Sequence, residues 1–277
     1  MTRADPPSTT RRALVIGASA LLGTAACTTE PPRGTAAPTG SATTTDGPSA
    51  ATTAPATSSS TATPVAPSLV APSIALTSGP DIMHGPAGRD EVALTFHGQG
   101  TRAVTDEVLA ACTAVGAHIT VFAVGTWIHD DPEQVRSVAA AGHEIGNHTW
   151  SHTQMKQVSA ATARTEVARG RAAIASAGLA PGWWFRPSGT QNSTATIRAA
   201  ALAGGYHRCV SYGVDPEDYL DPGATLVRSR TRKAVRPGSI VSLHLGHAGT
   251  AAALPGILSD LSAAGLVPVT LSTLLRD

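Results

Sequence analysis

The sequence predicts an α/β fold, a (β/α) barrel of about seven parallel strands, over residues 81–277. Strand-like and helix-like segments alternate about seven times in this range, which requires a parallel sheet joined by right-handed crossovers. An open doubly wound sheet fits that alternation equally well. The barrel is favoured because polar residues lie at or just beyond the ends of successive predicted strands, which in a barrel converge on one mouth where active sites are built. These residues are His97, His148, Arg186, Asp215 and His244.

The first half of the range follows simple patterns. Its opening strand alternates and is rich in β formers, and the helix after it has apolar residues at helical spacing up to Gly116. Pro132 stands in the first turn of the next helix, a position that proline favours. The predicted elements are a strand at 91–97, a helix at 104–115, a strand at 118–124, a helix at 131–141 and a strand at 143–145.

The second half continues the alternation. Ser159 is expected to cap a long alanine-rich helix, Ser193 to start the following helix and Ser272 to cap a short final helix. The run around His244 is apolar apart from that residue and Ser242, as expected of a buried parallel strand. The predicted elements are a helix at 159–178, a strand at 183–186, a helix at 193–204, a strand at 206–212, a helix at 224–235, a strand at 239–245, a helix at 251–264 and a strand at 266–269.

Residues 1–27 are predicted to be an export signal rather than part of the fold. Paired arginines precede an apolar run at 13–26 that is too short to span a bilayer, a pattern typical of twin-arginine signals. The run ends in a sequence that resembles a bacterial lipoprotein cleavage site, with Cys27 as the acylated residue. A plain signal peptide with an incidental cysteine is the alternative. We expect an exported protein, held at the outer face of the cytoplasmic membrane through a lipid on Cys27, or located in the cell wall or secreted.

Composition describes the next segment and excludes one class of partner. Residues 28–80 are almost entirely Thr, Ala, Pro, Ser and Gly, and so little apolar surface cannot offset the entropy of ordering, so we predict a disordered tether. The formal net charge is +1 and 14% of residues are charged, which argues against electrostatic capture of nucleic acid. Cys112 and Cys209 stand among apolar neighbours and are predicted to be buried free thiols.

Two histidines, His148 and His152, follow a short predicted strand and are four residues apart. On a helical turn this spacing brings both rings to one face, where they could share a metal ion. An arbitrary pair of this kind is more often a surface or hydrogen-bonding pair, so the metal interpretation depends on further residues. A catalytic zinc has three protein ligands and an open water position. The candidate acids and bases, with an arginine that could orient a carboxylate, are Asp215, Asp218, His244 and Arg186.

Two other chemistries fit less well. Gly98, Gly100 and Ala103 match the loose fingerprint of dinucleotide-binding folds. Those folds bind ribose through an acidic residue at the end of the second strand, and the second predicted strand here ends without one. Ser188 lies in an Arg-Pro-Ser-Gly turn and not in the G-x-S-x-G elbow of a serine hydrolase.

Five segments, in order, resemble those of the NodB-type polysaccharide deacetylases, carbohydrate esterase family 4. TFHGQG stands where that family has T-F-D-D-G, and HTWSH matches its H-S/T-x-x-H metal segment. FRPSG is similar to R-x-P-Y-G, and DPEDY is similar to D-x-x-D-W. A Leu-His pair stands where the family places its catalytic histidine. The resemblance covers residues 91–273, and the five segments lie at 95–100, 148–152, 185–189, 215–219 and 243–244.

The resemblance implies a distorted (β/α) barrel and a divalent metal, zinc or similar. It implies hydrolysis of N-acetyl, sometimes O-acetyl, groups on a cell-wall or extracellular glycan such as peptidoglycan or a chitin-like polymer. His148 and His152 would hold the metal, and His244 would be the general acid. The supporting residues would be Asp215 or Asp218, which would tune His244, and Arg186, which would support the base.

The first segment departs from the family pattern. His97 stands in place of the family's base aspartate, and Gly98, which has no side chain, stands in place of its metal aspartate. Three hypotheses follow. His97 is the third metal ligand; or His97 is the base, with two histidines and water or Gln99 at the metal; or the domain is catalytically inactive and binds glycan. The acid and supporting residues that are present favour a working hydrolase.

Overall fold

The computed structural model describes residues 79–277. The predicted export signal (1–27) lies outside the described residues, as does the predicted tether (28–80) except for its last two residues. Among the residues that are described, no helix has the length and apolar character needed to cross a membrane.

Parallel strands form the centre of the fold. They are β1 (Asp81–Ile82), β2 (Glu91–Gly98), β3 (Thr120–Ala123), β4 (Glu144–Asn147), β5 (Cys209–Val210), β6 (Ile240–His244) and β7 (Val267–Pro268). One sheet has the order β4-β3-β2-β6, β7 pairs with the start of β2, and β1 pairs with β5. Single parallel bridges join Phe185 to Asn147 and to Cys209, which continues the parallel order from β4 to β5.

Helices follow most of the strands, as the alternation predicts. They are α1 (Arg102–Thr113), α2 (Gly125–Asp130), α3 (Pro132–Ala140), α4 (Ala160–Ser176), α5 (Ala195–Ala203), α6 (Ala224–Ala234), α7 (Ala248–Ala263) and α8 (Leu271–Leu274), with a 3-10 turn at Asp218–Leu220. Ser159 caps α4 as predicted, because its hydroxyl accepts the backbone N–H of Thr162. Cys112 and Cys209 are buried free thiols, also as predicted.

The helix start predicted at Ser193 and the cap predicted at Ser272 are both displaced, and for the same reason. A threonine caps each helix instead of Ser193 or Ser272. The N–H and hydroxyl of Ser193 donate to the carboxylate of Asp81, and those of Ser272 donate to the carboxylate of Glu144. Each serine therefore serves an acid that is distant in sequence, a contact that local patterns do not reveal.

The predicted strand at 183–186 is reduced to one bridged residue in the structure. Phe185 alone makes bridges there, and Pro187 has no N–H with which to extend a ladder. Conversely, β1 and α2 were not predicted, because a strand of 2 residues and a helix of 6 residues are too short to show a period.

β2 divides its side chains between two faces. Leu94 and Phe96 pack beneath the surrounding helices in the main apolar cluster, and burial of a side chain of this size stabilises the fold by about 1.5–3 kcal/mol. Ala93 points the other way, into a second cluster. Because side chains alternate along a strand, Thr95 and His97 continue that inner face. The inner face therefore becomes polar towards the C-terminal end of β2.

The register of the strands aligns their C-terminal ends. His97 in β2 lies opposite His244 in β6, and Asn147 in β4 lies opposite Ala123 in β3. His148 follows Asn147 directly. The sheet therefore brings three histidines from separate strands to one edge.

Candidate metal centre and active site

Two of these histidines, His97 and His148, form a compact group with His152 at this edge of the sheet. Nitrogen atoms of His97, His148 and His152 all lie within 4.8 Å of one another. The rings of His97 and His148 are nearly perpendicular, with centroids 4.5 Å apart, and those of His148 and His152 are 5.0 Å apart. The group has the composition and spacing of a metal centre with three imidazole ligands.

Hydrogen bonds orient the His148 ring. Its Nδ1 lies 2.8 Å from the carbonyl oxygen of Arg186, and a carbonyl can only accept, so Nδ1 carries the proton. Nε2 therefore presents its lone pair, and it lies 2.9 Å from Nδ1 of His97. Burial lowers the pKa of His148 well below its ordinary value, and the positive charge of His152 when protonated lowers it further. The ring is held neutral, as a metal ligand must be.

The loop between His148 and His152 is not the helical turn that the spacing suggested. Thr149 and His152 both have left-handed backbone conformations, with φ of 70° and 55°. The buried carboxylate of Glu166 in α4 holds the loop, accepting the N–H groups of Trp150 and Ser151 and the hydroxyl of Ser151. A distant acid and an unusual backbone therefore bring the two rings together.

His97 contacts further polar groups on its other side. Its Nε2 lies 3.0 Å from the hydroxyl of Ser242 and 3.3 Å from a guanidinium nitrogen of Arg186. Its ring stacks on that of His244 with centroids 4.3 Å apart. Burial lowers the pKa of His97 well below its ordinary value, and the charges of His148 and Arg186 lower it further.

Arg186 is almost fully buried at 1% exposure. Its guanidinium donates to the carbonyls of Ser211 and Val210 and lies 4.2 Å from the ring centroid of Phe122. Burial lowers the pKa of Arg186 to about 9, opposed by the charges of Tyr212 and Asp215. The family resemblance implies an arginine beside the base, and Arg186 takes this position through its contact with His97.

Asp218, rather than Asp215, reaches His244. One carboxylate oxygen of Asp218 lies 2.7 Å from His244 Nδ1, and the other accepts the backbone N–H of His244 and the hydroxyl of Thr250. Asp215 instead accepts the N–H of Glu217 in its own turn, and burial raises the pKa of Asp215. Of the two acids left open by the sequence, Asp218 is the one that orients the His244 ring.

A cavity of about 250 Å³ opens beside these groups. Gly98 does not line it, and a side chain at that position would meet Val121 at 2.8 Å and the carbonyl of Phe122 at 3.0 Å. A carboxylate therefore does not fit at position 98 without displacement of β3. The lining residues are His97, Gln99, Val124, His152, Tyr219, His244, Gly246 and His247.

Sequence reasoning missed three residues of this site. Ser242 and Thr250 are buried hydroxyls beside His97 and Asp218, and Glu166 holds the loop of the histidine pair. Ser242 had a signal, because it is a polar residue in an otherwise apolar strand. The other two had none, since their partners are 32 and at least 15 residues away in the chain.

Comparison with known proteins agrees with the geometry. Residues 84–207 match the family model for polysaccharide deacetylase. A chitooligosaccharide deacetylase from Bradyrhizobium is 35% identical over 165 residues, which cover 58% of this chain and 73% of the relative. A peptidoglycan-N-acetylglucosamine deacetylase from Bacillus cereus is 32% identical over 188 residues, 67% of this chain and 88% of the relative. The chain belongs to the polysaccharide deacetylase family.

Solved structures of this family share the fold. A family 4 carbohydrate esterase from Streptomyces lividans, in complex with acetate, has 30% identity and a TM-score of 0.60 over 64% of this chain and 91% of that one. A family 4 pseudoenzyme from Bacillus anthracis has 22% identity and a TM-score of 0.67 over 72% and 70%. The predicted fold and membership of carbohydrate esterase family 4 are confirmed, and with them the hydrolase class.

Proposed function

We propose that this polysaccharide deacetylase is a metal-dependent enzyme that hydrolyses N-acetyl groups of a glycan, with His97, His148 and His152 as metal ligands. The observation that carries the proposal is the group of three imidazole nitrogens within 4.8 Å of one another. It stands beside the oriented ring of His244 at the mouth of the fold. The relatives named for chitooligosaccharide and for peptidoglycan N-acetylglucosamine support a substrate that contains N-acetylglucosamine.

The donor set fits a divalent metal and suits zinc. Burial keeps His97 and His148 neutral, and neutral imidazole is a usual zinc ligand. The hydrogen bond from His148 to the Arg186 carbonyl is the kind that fixes a metal-binding ring. When bound, the metal lowers the pKa of a water molecule and polarises a carbonyl oxygen.

We assign His97 to the metal rather than to proton abstraction. Both of its ring nitrogens are engaged, Nδ1 by His148 and Nε2 by Ser242 and Arg186. No carboxylate fits at Gly98 to replace it as a ligand. This leaves proton transfer to another group at the cavity.

His244 handles the protons in this proposal. Asp218 accepts its Nδ1–H, so Nε2 is the nitrogen that exchanges protons. Water attacks the acetyl carbonyl carbon while one of its protons passes to His244. The C–N bond then breaks, its electron pair stays on the sugar nitrogen, and that nitrogen takes the proton from His244. The products are acetic acid and the free amine, which ionise at neutral pH.

Glycan binding without catalysis is the second candidate. It is favoured by one observation, that His97 and Gly98 stand where the family pattern has two carboxylates. In that case the cavity would bind a sugar and release no acetate. O-acetyl groups are a further possible substrate, because the same water attack breaks an ester.

We also propose that the protein acts outside the cytoplasm on a cell-wall or other extracellular glycan, anchored through a lipid on Cys27. The paired arginines, the apolar run at 13–26 and the cleavage-like sequence support this. Fatty-acid labelling in the producing cell should be lost in Cys27→Ser. Labelling that persists in that variant would contradict the anchor.

Metal content and acetate release test the enzyme. We expect the purified protein to hold one equivalent of zinc, and His97→Ala and His148→Ala to lose it. His244→Ala should retain the zinc but release no acetate from chitooligosaccharide or peptidoglycan fragments. A protein without metal would contradict the proposal, and zinc without acetate release from either glycan would favour binding alone.

A further inference from the structure

We propose that Ser242 is a positioning residue for His97, whose hydroxyl reverses its hydrogen bond to that ring when the metal binds. The inference rests on the proposed function, because it concerns how His97 becomes a ligand. It follows from the proton positions that the described hydrogen bonds require.

Two independent contacts fix the tautomer of His97 without metal. Nε2 of His148 has its lone pair free, so the 2.9 Å contact requires a proton on Nδ1 of His97. On the opposite side, the guanidinium of Arg186 can only donate, so Nε2 of His97 must accept. Both contacts place the proton on Nδ1. The hydroxyl of Ser242 then donates to Nε2 as well.

Metal ligation reverses this arrangement. The nitrogen of His97 that faces His148 is Nδ1, and it must give up its proton to become a ligand. A neutral ring then carries the proton on Nε2, where it points at Ser242 and Arg186. Arg186 has no acceptor to offer. The Ser242 hydroxyl, 3.0 Å away, can rotate and accept, so it is the group that makes the ligand tautomer possible.

The position of Ser242 supports this role. It is 1% exposed and stands in β6 between Val241 and Leu243, which pack in the main apolar cluster. A buried hydroxyl destabilises a strand of this kind unless it is hydrogen-bonded.

Zinc affinity tests the inference in the full-length protein, by competition with a chromophoric chelator. Ser242→Ala should weaken zinc binding about 10- to 100-fold, the usual effect of losing a partner of a metal-binding histidine. Ser242→Thr, which keeps the hydroxyl, should restore it. The matched control is Thr95→Val, because Thr95 pairs with Ser242 in the register and its buried hydroxyl donates to the Val241 carbonyl instead.

Nitrogen NMR of the histidine side chains provides a readout that is independent of activity. In the metal-free protein, His97 should carry its proton on Nδ1, and in the zinc-loaded protein on Nε2. Equal zinc affinity of Ser242→Ala and the unmodified protein would overturn this inference alone. A proton on Nε2 of His97 in both the metal-free and the zinc-loaded protein would do the same. Failure of the unmodified protein to bind zinc would overturn it together with the proposed function.

Discussion

Replacement of Asp218 by asparagine should remove catalysis while leaving the metal centre in place. The Asp218 carboxylate is fully buried and accepts three hydrogen bonds, two from His244 and one from Thr250. An asparagine oxygen can accept on one side only, and its NH₂ group must then face a donor. Relief of that conflict requires His244 to move its proton from Nδ1 to Nε2.

The expected magnitudes follow from these contacts. Loss of a hydrogen bond to a charged group, with a buried donor left opposed, destabilises a fold by about 1–3 kcal/mol. The changed tautomer leaves His244 Nε2 unable to accept a proton from water. A correctly held acid–base group contributes about 10²–10⁴-fold, so acetate release by Asp218→Asn should fall within that range. Zinc content should not change, because Asp218 contacts none of the three proposed ligands.

Acetate release, zinc content and urea unfolding of the same preparations measure these effects. Asp221→Asn is the matched control, because Asp221 pairs with His247 Nδ1 at 2.8 Å in the same way. That carboxylate is 69% exposed, and exposed pairs contribute little stability. We expect the control to unfold like the unmodified protein. Folded, zinc-loaded Asp218→Asn that releases acetate at the normal rate would refute the role of Asp218.

Three further predictions concern the scaffold of the site. Glu166→Ala removes the acceptor of two loop N–H donors and should weaken zinc affinity about tenfold in chelator competition; unchanged affinity would mean that the loop needs no carboxylate. Gly170→Ala puts a methyl group 2.3 Å from the Asn147 side chain and should lower the free energy of unfolding, measured in urea, by about 1–3 kcal/mol. A variant as stable as the unmodified protein would contradict this prediction. Burial lowers the pKa of His143 to about 4, so the unfolded chain binds a proton first and stability is lost as pH falls from about 6.5 towards 4. His143→Asn keeps an acceptor for the Ile119 N–H but cannot protonate, so between pH 7 and 4 it should lose about 2 kcal/mol less than the unmodified protein; parallel losses would contradict this.

The alternation of elements and the polar strand ends could be predicted from the sequence because both depend on local patterns. Periodicity identifies β2, β6 and the long helices, and parallel topology then places His97, His148 and His244 at one edge. Residue type and order were therefore enough to predict that these candidate residues lie together.

The arrangement around that centre depends on contacts that the sequence does not order. The left-handed backbone at Thr149 and His152 is held by Glu166, which lies one loop and part of a helix away. The choice of Asp218 over Asp215 follows from a short 3-10 turn that periodicity does not reveal. Such details are set by tertiary packing, so only coordinates could supply them.

β2 is hydrogen-bonded along both edges, to β6 on one side and to β7 and β3 on the other. Backbone amides in such a strand are expected to exchange with solvent only when the whole domain opens. His97 is a residue of this strand, so its Cα is expected to move little. A change of ligand type at this position must then be accommodated by neighbouring side chains and not by movement of the strand. Substitutions at this site can therefore change one side chain at a time while the backbone of β2 stays in place.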